Sequence, residues 1–201
     1  MRLGIMGGTF DPIHFGHLVT AEEALVQFNL DRVIFMPTGN PAFKSGERVT
    51  SGEHRYLMTV IATASNADFD VSRMEVDRPG LTYTVDTLIA LRDRYGPSTE
   101  LFFITGADAV WDIVSWKDAE MVADLVTFIA ATRPGYDLDE ARRSHESAAT
   151  GFRIEYVEVP ALAISSTELR RRVAEKRPIT YLAPESVVAY IAKHELYREV
   201  V

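Results

Sequence analysis

The feature that most constrains this chain is an alternation. Short runs of strand-forming residues take turns with longer stretches of helical periodicity. The strand-like runs are Leu3–Met6, Arg32–Met36, Phe69–Ser72, Leu101–Thr105, Leu125–Ala131 and Arg153–Val157. The helix-like stretches are Gly16 to about Phe28, Glu53–Ser65 with Ser51 as its N-cap, and Thr84–Tyr95. Ser166–Ala174 and Glu185–His194 add two helices after the last strand. Within Thr84–Tyr95, Val85, Leu88, Ile89 and Leu91 recur at helical spacing. Strands that are apolar along nearly their whole length are buried on both faces, which implies a parallel sheet covered by helices. The crossovers between such strands are right-handed. The expected architecture is therefore α/β: a Rossmann-like doubly wound parallel sheet with a small C-terminal helical cap.

No internal repeat and no long linker divides the 201 residues, so one domain is expected over 1–201, with about 165–201 as a C-terminal helical subregion. Thr38–Gly52, rich in Gly, Pro and Ser, reads as a loop, and the polar stretch Gly135–Gly151 as a surface helix and loop. Hydrophobic residues at 47% and charged residues at 25% are globular proportions and argue against disorder or coiled coil. The formal net charge of −8 makes the chain a poor non-specific binder of nucleic acid or anionic membrane, while leaving room for a local anion pocket. The absence of cysteine excludes disulfides, thiol nucleophiles and Cys-based metal centres. The N-terminus lacks the pattern of a signal peptide, and no run of 18 apolar residues could span a bilayer. A soluble, cytoplasmic protein is expected.

The sharpest motif follows the first strand: Gly7-Gly8-Thr9-Phe10-Asp11-Pro12-Ile13-His14-Phe15-Gly16-His17. In an open parallel sheet, loops at the carboxyl ends of strands build the ligand crevice. Gly7 and Gly8 permit close backbone approach and positive φ, and successive N–H groups there can cradle phosphate oxygens. The following helix aims its positive end into the same space. His14 and His17 share one face of that helix start and can stabilise charge in phosphoryl or nucleotidyl transfer. A zinc site would need a third ligand, and Asp11 is the only local one. Neither a G-x-x-x-x-G-K-[ST] loop nor G-x-G-x-x-G is present.

GGTFDPIHFGH resembles the signature of the HxGH nucleotidyltransferase superfamily, in the form found in bacterial nicotinate-nucleotide adenylyltransferases. Ile164-Ser165-Ser166-Thr167-Glu168-Leu169-Arg170 is similar to that family's ISST-x-x-R segment, and Leu81-Thr82-Tyr83-Thr84-Val85-Asp86-Thr87-Leu88 to its SYT-x-DTL segment. The likeness runs from Arg2 to about Tyr197. It implies adenylyl transfer from ATP to nicotinate mononucleotide, yielding deamido-NAD and pyrophosphate in NAD biosynthesis. Mg²⁺ would accompany ATP and pyrophosphate, with no dedicated protein metal site expected.

The hydroxyls of Ser165, Ser166 and Thr167 precede a helix, where one can N-cap and exposed N–H groups can take an anion. Arg170, one turn on, can clamp a phosphate bidentately. Gly106 and Asp108 follow the Leu101–Thr105 strand, and Arg133 follows the Leu125–Ala131 strand, so all three lie at carboxyl ends. An indole such as Trp116 can stack on a positively charged pyridine ring. The resemblance implies an ATP-side group of Gly7, Gly8, Thr9, Phe10, Gly106, Asp108, Arg133, Ser165, Ser166, Thr167 and Arg170. It implies a mononucleotide-side group of Asn40, Lys44, Thr84 and Trp116, with His14 and His17 catalytic. Two departures stand out. Ala42-Phe43 occupies the place of a more usual Pro-His, and Lys117 stands where Tyr is frequent. A sibling transferase using another acceptor or CTP, a nucleotide sensor that has kept the pocket, and an interaction protein remain open on the residues alone. So does the oligomeric state, a homo-oligomer included.

Overall fold

Side-chain alternation along six strands builds two apolar layers on one sheet. The computed structural model describes residues 1–40, 49–110, 112–132, 151–160 and 163–198. The strands are β1 (Arg2–Gly8), β2 (Arg32–Pro37), β3 (Phe69–Val71), β4 (Glu100–Gly106), β5 (Thr127–Thr132) and β6 (Arg153–Glu158). All pair in parallel, in the order β3-β2-β1-β4-β5-β6. The helices are α1 (Phe15–Gln27), α2 (Gly52–Thr63), α3 (Thr84–Tyr95), α4 (Ala107–Val110), α5 (Ala119–Leu125), α6 (Ser166–Ala174) and α7 (Glu185–Lys193).

Met6, Val33, Phe35, Phe102, Ile104 and Ile129 point to one face and pack with Ala21 and Ala24 of α1 and Met58 of α2. Leu3, Ile5, Ile34, Met36, Phe103 and Phe128 point to the other and pack with Val85, Leu88 and Leu91 of α3 and Val122 of α5. Each fully buried side chain of this size contributes about 1.5–3 kcal/mol. Period-2 alternation therefore fixes the pairing register: a slip of one residue would exchange the two layers. The C-terminal helices join the first layer, through Leu169 of α6 and Val187 and Ile191 of α7.

Three details differ from expectation. Gly7 and Gly8 are not loop: they end β1, paired with Met36 and Pro37. The positive φ that they would permit falls instead on Phe10, at φ 50°. The strand expected from Leu125 begins at Thr127, because Leu125 closes α5, a helix absent from the sequence reading. Apolar runs that cross from a buried helix into a buried strand carry no periodicity that marks the boundary. Ser51 caps α2 as expected, its Oγ accepting the His54 N–H at 3.4 Å. Residues 41–48 and 133–150, which include most of both predicted loops, lie outside the described residues.

Candidate active site

The strand order reverses between β1 and β4, and their carboxyl ends, Gly8 and Gly106, flank the crevice that such a switch point opens. The chain leaves β1 through Thr9, turns at Phe10, crosses a cis Asp11–Pro12 bond and enters α1 at His14. Gly8 is required here, since a Cβ would lie 2.8 Å from Phe10 Cε1. Phe10 is 1% exposed and meets the His17 ring edge-on at 5.1 Å. What Phe10 can offer a nucleotide is its backbone; the side chain is a floor beneath His17.

His14 and His17 stack, with centroids 3.8 Å apart and planes 25° from parallel. His17 Nδ1 accepts the His14 backbone N–H at 3.2 Å, which assigns the ring proton to Nε2. Burial lowers the His14 pKa to about 4. Burial and the neighbouring His14 push His17 well below the usual imidazole range. Both rings are therefore neutral near pH 7, and His17 holds a fixed N–H donor. Buried His14 Nδ1 has no protein partner among the described residues. Gly16 makes the stack feasible: a Cβ there would sit 3.0 Å from the His14 ring.

The second helix start closes over the same loop. Ser165 caps α6, its Oγ accepting the Glu168 N–H at 3.2 Å. Ser166 Oγ donates to the Pro12 carbonyl at 2.8 Å, and Arg170 Nη1 donates to the Asp11 carbonyl at 2.8 Å. Thr167 is exposed, with its Oγ1 3.5 Å from Arg170 Nη2. Ser166 and Arg170, expected to face phosphate, here brace the loop that leads into α1.

Two buried charged residues escaped the sequence reading. Arg55, 1% exposed, donates to the carbonyls of Thr9, Thr38, Gly39 and Thr50 at 2.6–2.9 Å. One guanidinium thus pins the loops after β1 and β2 to the start of α2. Burial lowers its pKa, against the opposing fields of Asp11, Tyr197 and Glu75. A signal existed: Arg55 shares a helical stripe with Met58, Thr59 and Ala62, all buried. Glu75, 7% exposed, accepts the Thr87 hydroxyl at 2.7 Å, and burial lifts its carboxyl to about 7. Asp11, weighed above only as a metal ligand, accepts the Thr50 N–H at 3.1 Å and the Tyr197 hydroxyl at 2.6 Å.

On the far side of the crevice, Asn40 and Thr82 are joined reciprocally: Asn40 N–H to Thr82 Oγ1 at 3.3 Å and Thr82 N–H to the Asn40 carbonyl at 3.0 Å. Thr84 opens α3, whose N-cap Tyr83 supplies no side-chain cap. Trp116 packs edge-on against Phe103 at 5.7 Å and Phe128 at 6.1 Å, so its indole is anchored in the second layer while remaining half-buried. The Asn40–Thr82 link joins the loop after β2 to the segment leading into α3. Gly106 has open space where a side chain would stand. Asp108 lies in α4, directly after β4. Lys44 and Arg133 lie outside the described residues. Among the described residues no cluster of three His, Asp or Glu is disposed to hold a metal ion.

The chain is a nucleotidyltransferase by family: a family model described as "Cytidylyltransferase-like" matches residues 5–172. The chain is 58% identical to a protein of Corynebacterium kroppenstedtii over 98% of this chain and 90% of that one. It is 54% identical to one of a Thermoanaerobacter species over 99% and 95%. Both relatives bear the name "Probable nicotinate-nucleotide adenylyltransferase". The chain belongs to the nicotinate-nucleotide adenylyltransferase family. A solved Plasmodium falciparum nicotinic acid mononucleotide adenylyltransferase, complexed with NaAD, has the same fold at TM-score 0.78, with 22% identity and coverage of 99% and 98%.

Proposed function

We propose that this chain transfers the adenylyl group of ATP to nicotinate mononucleotide, releasing pyrophosphate and forming deamido-NAD. The observation that carries this is the neutral, stacked His14–His17 pair at the switch point of a chain that belongs to this family. An oxygen of the mononucleotide 5′-phosphate attacks the α-phosphorus of ATP in line. The new P–O bond forms as the bond to the β-phosphate bridging oxygen breaks, and pyrophosphate leaves with the electron pair. The attacking phosphate is already anionic near neutral pH, so the protein supplies position and charge stabilisation more than a base.

His17 Nε2–H donates to a non-bridging oxygen of the α-phosphoryl group, and His14 supports it by stacking. Backbone at Gly7, Gly8, Thr9 and Phe10 lines the phosphate path. Ser165, Ser166, Thr167 and Arg170 at the α6 start take the β- and γ-phosphates, Ser166 and Arg170 exchanging their bonds to Pro12 and Asp11 for phosphate oxygens. Gly106, Asp108 and Arg133 hold the nucleoside. Asn40 and Lys44 serve the mononucleotide; its ring stacks on Trp116, and its carboxylate meets the N–H groups at Thr84. Mg²⁺ carried on the phosphates of ATP and pyrophosphate would supply charge neutralisation there, with phosphate oxygens as its main ligands.

The test is pyrophosphate release with ATP and Mg²⁺, comparing nicotinate mononucleotide, nicotinamide mononucleotide and phosphopantetheine. Release with the nicotinate compound, well above the other two, supports the reading. Release with phosphopantetheine alone would overturn the assignment of Trp116 and Thr84.

A further inference from the structure

The acceptor side holds a charged pair that the reaction itself does not require. Asp86 is the third residue of α3, two positions beyond Thr84. Lys117 directly follows Trp116 and crosses to this helix start, its Nζ 4.6 Å from the Tyr83 ring centroid and 3.8 Å from Asp86 Oδ1. The ammonium, the Asp86 carboxylate and the uncapped first turn of α3 thus occupy one small region, formed by the residue that follows Trp116 and the turn that Thr84 opens.

A carboxylate in the first turn stabilises a helix by complementing its positive end. Here it has a second effect. Any anion brought to the same helix start meets a like charge within the same turn. Lys117 offsets that charge, and its position over the Tyr83 ring holds the ammonium there by cation–π attraction. An uncharged carboxamide at the same place would feel far less of either charge than a carboxylate does.

The geometry points to Lys117 as the residue that sets acid-over-amide selectivity: by neutralising Asp86 at the start of α3 it admits the carboxylate of the pyridine ring. This rests on the reading that the ring lies between Trp116 and Thr84. The residue at 117 is a departure from the more usual Tyr, and it brings to the start of α3 a positive charge that Tyr would not. Unit charges several ångströms apart near a surface interact by enough to change affinity roughly 3- to 30-fold.

The experiment measures Kd for nicotinate and nicotinamide mononucleotides by titration calorimetry, with a non-hydrolysable ATP analogue bound. The proteins are wild type, K117M, D86N and the K117M/D86N double variant. K117M weakens the acid roughly 3- to 30-fold and leaves the amide within about twofold. D86N shifts the ratio toward the acid, and the double variant returns it close to wild type. Raising salt to about 0.5 M compresses the K117M effect. Equal weakening of both ligands by K117M would mean that Lys117 merely holds the 116–118 segment in place, and would overturn the proposal. So would an unchanged ratio. Trp116→Ala separates this failure from that of the underlying site. If it leaves both affinities unchanged, the ring does not bind there. If it weakens both while K117M leaves their ratio flat, only the role of Lys117 falls.

Discussion

At the residue scale, chemistry turns on protonation states that burial sets. His17 is neutral, and the His14 N–H fixes its tautomer. Removing a preorganised donor to a transition-state oxyanion costs about 10²–10³ in turnover. His17→Ala should therefore lower kcat by about that factor while its Tm stays within a few degrees of wild type. Turnover near the wild-type rate from folded variant would remove His17 from the mechanism. Glu75 gives a second prediction. Its carboxyl is raised from 4.5 to about 7, so the folded chain holds the proton more tightly than the unfolded one. That contribution to stability is present at low pH and is lost as pH rises from about 4.5 through about 7, amounting to at most about 3 kcal/mol. Glu75→Gln should flatten this slope and stabilise the protein at pH 8 in denaturant titrations. An unchanged slope would mean Glu75 is ionised in its ordinary range. His14 acts with the opposite sign: its contribution is present above 6.5 and lost as pH falls through about 4. The His pair was legible in the sequence because its spacing is local. Arg55 and Glu75 were not, because their partners are carbonyls and hydroxyls on other elements, such as Thr38 and Thr87.

At the scale of elements, the site depends on loops fitted against each other. Gly39 shows how tightly: a Cβ there would stand 2.0 Å from the Glu75 carbonyl oxygen. The same residue accepts from Arg55, and Asn40 beside it is joined to Thr82. Gly39→Ala must part the loop after β2 from the segment leading into α3. Overpacking of this kind costs about 1–3 kcal/mol. The expected result is a large rise in KM for the mononucleotide with little change for ATP. Equal effects on both substrates would mean that the two loops do not serve the acceptor separately. The strand and helix types were largely legible, because β1, β2 and β4 are continuous apolar runs and α3 repeats at helical spacing. The boundary between α5 and β5 was not, since Leu125 and Val126 are apolar in either element. The end of β1 was misread for a different reason. Gly-Gly is a turn signal locally, and only pairing with Met36 and Pro37 makes it strand.

At the scale of the molecule, the C-terminal helices are part of the core that carries the loop after β1. Leu169, Ile179, Val187 and Ile191 share one apolar layer with α1 and β1. Phe15 N–H donates to the Leu182 carbonyl at 3.2 Å, and the Tyr197 hydroxyl donates to Asp11, so the far end of the chain fastens the loop that carries His14. Deleting residues 165–201 should therefore abolish the cooperative thermal transition. A truncated chain melting cooperatively near the wild-type Tm would show that these helices are an independent appendage. Their helical character was legible from the sequence, but their place in the first apolar layer was not, because periodicity gives the apolar face of a helix and not the surface it meets.

The most direct measurement follows the adenylyl group itself. ATP carrying an isotope at its α-phosphorus is incubated with Mg²⁺, nicotinate mononucleotide and the protein, and the products are separated. Label recovered in deamido-NAD, with unlabelled pyrophosphate formed in equal amount, is the predicted result. Label that remains in ATP, or that leaves it only as free AMP, would contradict adenylyl transfer to this acceptor.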